Sequence, residues 1–379
     1  MSARRNGDYA RAVSSFESAL RRDPSAELVR EVQFRLAESY YLAGDSERAI
    51  SGFSAYIQAF PNRAETYSAH YFLAGLYRAR RDYPNAIAQL RIVRAQTQTL
   101  AGEIDAEIAQ VMVLAGDFAN ANAQFDRALA DSTLSPASRV RISLRAGAAL
   151  IASNNPARAA ARYDAALPFV RDASTRASLN LFAGQQYAAA NQMDLATERW
   201  KWAINETPEE SSAYTALLEL VNRNIPVDEF QRGLVDYYAG AYDPAIAAFQ
   251  RYLSSSSTHV ADARYYIAKS LARKGNPAQA LVEYDVIINT LRAGNRLGDA
   301  MIGKGEALEA LGKMDDAIGV YKQLSSLAPN DAQADGALAL AGDMLTRFGR
   351  YREAAVIYDQ LAASYPAATP RRKHCSVRA

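Results

Sequence analysis

The chain has 379 residues, 49% of them hydrophobic and 22% charged. Its 43 basic and 41 acidic side chains nearly cancel, so no global field favours nucleic acid. The single cysteine, Cys375, excludes an internal disulfide, the three scattered histidines supply no zinc set, and no apolar run approaches the ~20 residues that span a bilayer.

Met1 to Gly7 is short and polar, without the apolar stretch of a secretory leader. From Gly7 onward one pattern recurs ten times, about every 37 residues. Each copy opens on a turn residue: Gly7, Gly44, Arg81, Gly116, Asn154, Asn191, Gly240, Gly275, Gly312 and Gly349. Five positions later stands alanine in every copy, from Ala12 and Ala49 to Ala317 and Ala354. Nine positions after the turn comes Phe16, Phe53, Leu90, Phe125, Tyr163, Trp200, Phe249, Tyr284, Tyr321 or Tyr358. Seven positions before nine of the turns stands Ala or Gly, as at Ala37, Gly147 and Gly305. Pro24, Pro61, Pro208, Pro329 and Pro366 follow their turns by seventeen.

A period of this size predicts stacked helix pairs in which each repeat contacts its neighbours. Gly or Asn suits a left-handed turn between two helices. Small residues on both helices allow close approach. The ring then fills the gap to the neighbouring pair, and proline stops the second helix.

This small–turn–Ala–aromatic–Pro series resembles the tetratricopeptide repeat from about Gly7 to Pro366. The resemblance implies an all-α, tetratricopeptide-like α-solenoid, a right-handed superhelix of antiparallel helix pairs. A first segment over 1–204 starts in mid-repeat, with the apolar face of Tyr9, Ala12, Val13, Phe16, Ala19 and Leu20 partly open. The spacing from Asn191 to Gly240 is long, which predicts an extra helix, Ser211 to Asn222, within a linker over 205–227. Pro226 disfavours helix at the residue before it, and Asp228 is placed to cap the next one. The insertion is expected to bend the superhelix and divide it. A second segment covers 228–366, and 367–379 (Arg371-Arg-Lys-His-Cys-Ser-Val-Arg-Ala379) reads as a basic, disordered tail.

Catalytic chemistry is not apparent. There is no GxxxxGK[ST] loop and no strand-bound GxGxxG. His374-Cys375 lies in the tail, without a fixed third group. No carboxylate pair sits where a rigid cleft is expected. We therefore expect no enzyme, no cofactor and no metal site.

In tetratricopeptide arrays the first helix of each pair lines the concave face. Threading that arrangement onto this chain directs Glu31, Glu38, Tyr41, Tyr71, Arg78, Arg141, Tyr237, Tyr265, Lys269 and Arg273 toward a binding groove, with Phe34, Gln110, Gln185, Phe230 and Glu306 beside them. Tyrosine and arginine suit recognition, giving large contact area with a polar tip, although any one tyrosine serves equally well as packing between repeats. The early end reads as acidic (Glu31, Glu38) and the later end as basic (Lys269, Arg273). The paired Lys–Asn arrangement of chaperone-binding repeats is absent. The expected partner is a protein, a peptide or a cell-wall glycan, with no nucleic acid.

The stretch from Ile225 to Leu253 and the extra helix before it also resemble the superhelical scaffold of soluble lytic transglycosylases. In that family a goose-lysozyme-like domain follows the scaffold and cleaves peptidoglycan through a Glu-Ser motif with a later Gly-Leu-Met-Gln segment. Glu38-Ser39 and Glu210-Ser211 lack that companion segment, so no catalytic role passes to them. The resemblance implies a cell-wall scaffold, relatives that continue beyond residue 366, and an extracytoplasmic setting. A stand-alone cytoplasmic interaction module is the alternative.

Overall fold

The computed structural model describes residues 9–22, 25–291 and 296–366. Gly7, Pro24, His374, Cys375 and the basic tail lie outside the described residues. The described residues form twenty α-helices and no strand. In order they are α1 (Tyr9–Leu20), α2 (Ala26–Leu42), α3 (Ser46–Ala59), α4 (Ala64–Ala79), α5 (Tyr83–Gln96), α6 (Ala101–Leu114) and α7 (Phe118–Leu129). Next come α8 (Pro136–Ala152), α9 (Pro156–Ala166), a 3-10 turn (Leu167–Phe169), α10 (Ala173–Ala189), α11 (Met193–Glu206) and α12 (Ser211–Asn222). The chain continues with α13 (Glu229–Tyr238), α14 (Tyr242–Ser255), α15 (Val260–Arg273), α16 (Pro277–Thr290), α17 (Leu297–Ala310), α18 (Met314–Leu327), α19 (Ala334–Arg347) and α20 (Tyr351–Ser364). The fold is an α-solenoid of helix pairs.

The turn chemistry is uniform. All nine described turn residues have positive φ, from 56° at Asn154 to 81° at Gly275. The next residue always donates its N–H to the carbonyl five positions back, as Asp45 does to Tyr40 (2.9 Å) and Arg350 to Leu345 (2.9 Å). This is the Schellman closure, which satisfies carbonyls the first helix leaves open. After three of these turns an aspartate caps the second helix: Asp45, Asp82 and Asp117 accept from Arg48, Asn85 and Asn120. Asp228 does the same for α13, accepting from the Gln231 N–H at 3.0 Å.

Every alanine of the pattern is buried, none more than 3% exposed. Phe53, Phe125, Trp200 and Phe249 are fully buried, and burial of such a ring stabilises by about 1.5–3 kcal/mol. Sequence reasoning sends the ring toward the neighbouring repeat. The structure adds a second contact, because the ring also lies on the small residue of its own first helix. A Cβ on Gly147, Gly305 or Gly342 would overlap Tyr163, Tyr321 or Tyr358. The other side of the ring meets the next first helix: Phe53 stacks on Phe72 (5.1 Å, 7°) and Phe249 on Tyr266 (5.6 Å, 12°). The ring is thus held between two first helices.

The chain divides into two compact units, Met1–Arg199 and Trp200–Ala379. In the first, successive cores gather around Phe53, Leu90 and Phe125. In the second, one core surrounds Phe249 and a larger one runs from Ala268 through Tyr284 and Tyr321 to Ile357.

Candidate binding face

The ten residues singled out by sequence all lie on first helices of pairs: α2, α4, α8, α13 and α15. In the first unit the structure brings three of them together. Tyr41 of α2 and Tyr71 and Arg78 of α4 line one hollow of about 220 Å³, with Phe72, Gly75 and Glu107. Its walls are exposed aromatics, Tyr41 38% and Tyr71 48% open to solvent. Phe72 fixes its floor, packed on Tyr41 at 5.1 Å and stacked on Phe53. Gly75 opens it, since a Cβ there would meet nothing within 4 Å.

Charge on this face is more neutral than the sequence implies. Glu107 of α6 lies between Arg78 (3.4 Å) and Arg145 of α8 (2.8 Å). Arg141 of α8 pairs with Glu103 of α6. Burial works to raise the Glu103 pKa, but hydrogen bonds from Ser138 and Arg141 outweigh it and hold the carboxyl below its usual range. Glu38 accepts from Arg35 at 3.1 Å and is largely buried. Glu31 is exposed and lines a smaller hollow of about 190 Å³ with Arg30, Arg35, Phe34, Tyr56 and Glu65.

Arg141 also borders a third, mostly apolar hollow of about 610 Å³. Pro136, Val140 and Leu144 of α8 form one wall, and Phe169 and Arg171 the other. Pro168 and the 3-10 turn end α9 early and bring out Phe169, over whose ring the Arg139 guanidinium sits at 5.4 Å.

In the second unit Tyr237, Tyr265, Lys269 and Arg273 belong to an aromatic cluster. Tyr237 meets Tyr266 edge-on (5.0 Å), and Tyr265 meets Tyr266 at 5.5 Å. Arg296 lies 4.8 Å from the Tyr265 ring centre while donating to Asp262 (2.6 Å) and Asp299 (2.8 Å). Lys269 Nζ stands 6.0 Å from the same ring. Burial, with Asp299 nearby, pushes the Tyr265 hydroxyl up to about 12. Burial also raises Tyr237, partly offset by Arg273.

Two neighbours of the predicted face are engaged in packing. Phe34 is 8% exposed and packs edge-on against Phe53 and Tyr56. Phe230 packs on Phe249 and stacks on His259. Phe34 and Phe230 both stand ten positions before their turns, and each packs on a tyrosine of the following second helix, Tyr56 for Phe34 and Tyr252 for Phe230. Ser39 is fully buried and its hydroxyl donates to the Arg35 carbonyl at 2.7 Å. Glu210 is the N-cap residue of α12. Among the described residues, no three His, Cys, Asp or Glu side chains gather as a metal site and no helix is long and apolar enough to cross a membrane.

One tetratricopeptide repeat family model matches residues 1–64 and 230–295, and a second matches 300–334. These matched stretches read as tetratricopeptide repeats. No curated protein matches it. Similar solved structures include Naa15/Naa10 bound to HypK-THB, at 14% identity and a TM-score of 0.48 over 99% of this chain. This chain spans 57% of the length of that one. The TPR domain of P58(IPK) is 14% identical, with a TM-score of 0.27, over 84% of this chain and 98% of that one. The C-terminal part of a TPR repeat-containing protein from Cytophaga hutchinsonii is 16% identical, with a TM-score of 0.34, over 71% and 96%. Tetratricopeptide repeats are generally non-catalytic scaffolds for protein interaction.

Proposed function

We propose that the chain is a non-catalytic scaffold that holds an extended segment of a partner protein along the first helices of its repeats. The observation that carries this reading is the convergence of Tyr41, Tyr71 and Arg78 on one hollow opened by Gly75. A hollow of about 220 Å³ suits one side chain, and its rim offers both signs of charge, Arg78 and Glu107, to the flanking backbone and polar groups. Exposed tyrosines on rigid helices lose little entropy on contact. Peptides selected from a random display library against the wild-type chain test this. Tyr71→Ala with Arg78→Ala should weaken the selected peptides at least about tenfold. Unchanged affinity would remove this site from the reading.

The narrower assignment is the superhelical part of a peptidoglycan lytic transglycosylase. It is supported by the layout at the insertion, where α12 precedes a capped α13 in the stretch from Ile225 to Leu253. Co-sedimentation with purified peptidoglycan sacculi tests it directly: retention with the sacculi favours a cell-wall scaffold. A chain that stays in the supernatant yet still captures peptides favours the stand-alone interaction module.

A further inference from the structure

The second-helix side of the first unit carries a groove that the reading above does not use. It runs between α5 and α7 over α6, encloses about 760 Å³, and is floored by Ile87, Ile108 and Met112. Three arginines border it: Arg91 and Arg94 from α5 and Arg127 from α7. Two carboxylates are also present, and both are committed. Asp105, 2% exposed, accepts from Arg94 Nε at 2.9 Å and from Gln124 Nε2 at 2.7 Å. Asp117 caps α7, accepting from the Asn120 N–H (3.3 Å) and Asn120 Nδ2 (2.7 Å).

The consequence is directional. Arg94 is held through Nε by a buried carboxylate, and its two terminal amino groups form no hydrogen bond or ion pair among the described residues, although Asp131 lies close enough to interact with its charge. Arg91 and Arg127 are exposed and form no ion pair among the described residues. By contrast Arg158 and Arg162, on the next second helix α9, both pair with Asp126 of α7. Arg91 and Arg94 are three apart on one helix, so their heads lie within about one turn of each other. The groove therefore joins an aliphatic floor, with an adaptable methionine in it, to guanidinium groups oriented from two helices.

We propose that this groove binds an acidic amphipathic segment of a partner protein, with aliphatic side chains on Ile87, Ile108 and Met112 and carboxylates on Arg91, Arg94 and Arg127. A polyanion such as RNA fits less well, because the floor is aliphatic and Asp105 and Asp117 lie along the same groove.

The test is fluorescence anisotropy of a labelled amphipathic Glu/Leu peptide with the full chain. A Gln/Leu peptide of the same pattern is the control. Arg91→Glu with Arg127→Glu reverses the exposed charges, and Ala123→Trp fills the groove from an exposed position on α7. Circular dichroism checks that each variant keeps its helix content. The proposal expects the Glu/Leu peptide to bind at least about tenfold more tightly than Gln/Leu. Each variant should cost a similar factor. No Glu/Leu binding, equal binding by the charge-reversed variant, or tighter binding of polyuridylate would overturn it. So would loss on charge reversal with Ala123→Trp unaffected, which would mean a bare electrostatic patch.

Discussion

The first-helix faces of the two units use one register in two ways. Counted back from the turn, Tyr41 of the first unit corresponds to Tyr237 of the second, Tyr71 to Tyr265 and Phe72 to Tyr266. Six positions before the turn the units differ: Gly75 in one, Lys269 in the other. Where glycine stands there is a hollow; where lysine stands its Nζ lies 6.0 Å from the Tyr265 ring. Tyr71 is 48% exposed, whereas Tyr265 is half-buried beneath Arg296. A conserved-looking spacing of tyrosines is therefore not enough to make a binding face. The residue between them decides whether the rings face a partner or one another.

The largest effect should separate these two kinds of tyrosine. Tyr266→Ala removes contacts with Phe249, Tyr237 and Arg296. It should lower local stability by about 2–4 kcal/mol, read as faster hydrogen exchange in α15. Tyr71→Ala should cost less than about 1 kcal/mol in α4, because half of that side chain is already in water. Equal losses at the two sites would break the comparison.

A smaller effect is pH-dependent and belongs to the second unit. Burial pushes the Asp236 carboxyl up to about 6, opposed by Arg232 and Arg251 and reinforced by Glu229. Its folded pKa thus lies above the unfolded value. The associated stability is fully present below about pH 4 and is lost as pH rises through about 6. Asp236→Asn should remove this dependence. Relative to wild type, the variant should gain about 1–2 kcal/mol on going from pH 4 to pH 7, read from urea denaturation at both values. A difference that is flat with pH would contradict the assignment. Asp45 and Asp172 of the first unit have the opposite sign: hydrogen bonds from Arg48 and from Thr175 lower their pKa values. Their contribution is present at neutral pH and is lost as pH falls.

Next in size is Gly75→Ala. Alanine in an open helix interior should stabilise α4 by about 0.5–1 kcal/mol, measured by exchange protection. Destabilisation would mean that the hollow is less open than described. Smallest is Glu107→Gln, which removes the negative charge shared by Arg78 and Arg145. Partly exposed pairs of this kind contribute about 0.2–1 kcal/mol. The loss should shrink further in high salt.

Much of the fold was legible because its rule is local and repeated. Gly44, Asn154 and Gly349 announce a left-handed turn, and the buried Ala49 and Phe53 follow at fixed offsets. Sequence reasoning missed the contact of each ring with its own small residue, because spacing alone does not give the direction of a side chain. The Glu103–Arg141 and Glu107–Arg145 pairs were also missed, although each spans 38 positions, one repeat. Opposite charges in the same register of successive repeats would have revealed them. Phe34 shares its register with Tyr71, ten positions before the turn, yet is buried, so register alone does not decide exposure. The groove between α5 and α7 had no signal in the repeat pattern. It depends on Asp105 orienting Arg94 across helices.

The most direct measurement is the affinity of display-selected peptides for Gly75→Met, set against wild type. Methionine supplies the bulk of a lysine stem without its charge, so it makes the first unit's hollow resemble the second unit's filled face. Our account predicts an intact helical fold and at least about a tenfold loss of affinity. Wild-type affinity in a correctly folded Gly75→Met chain would contradict it, because partners would then bind without entering the hollow.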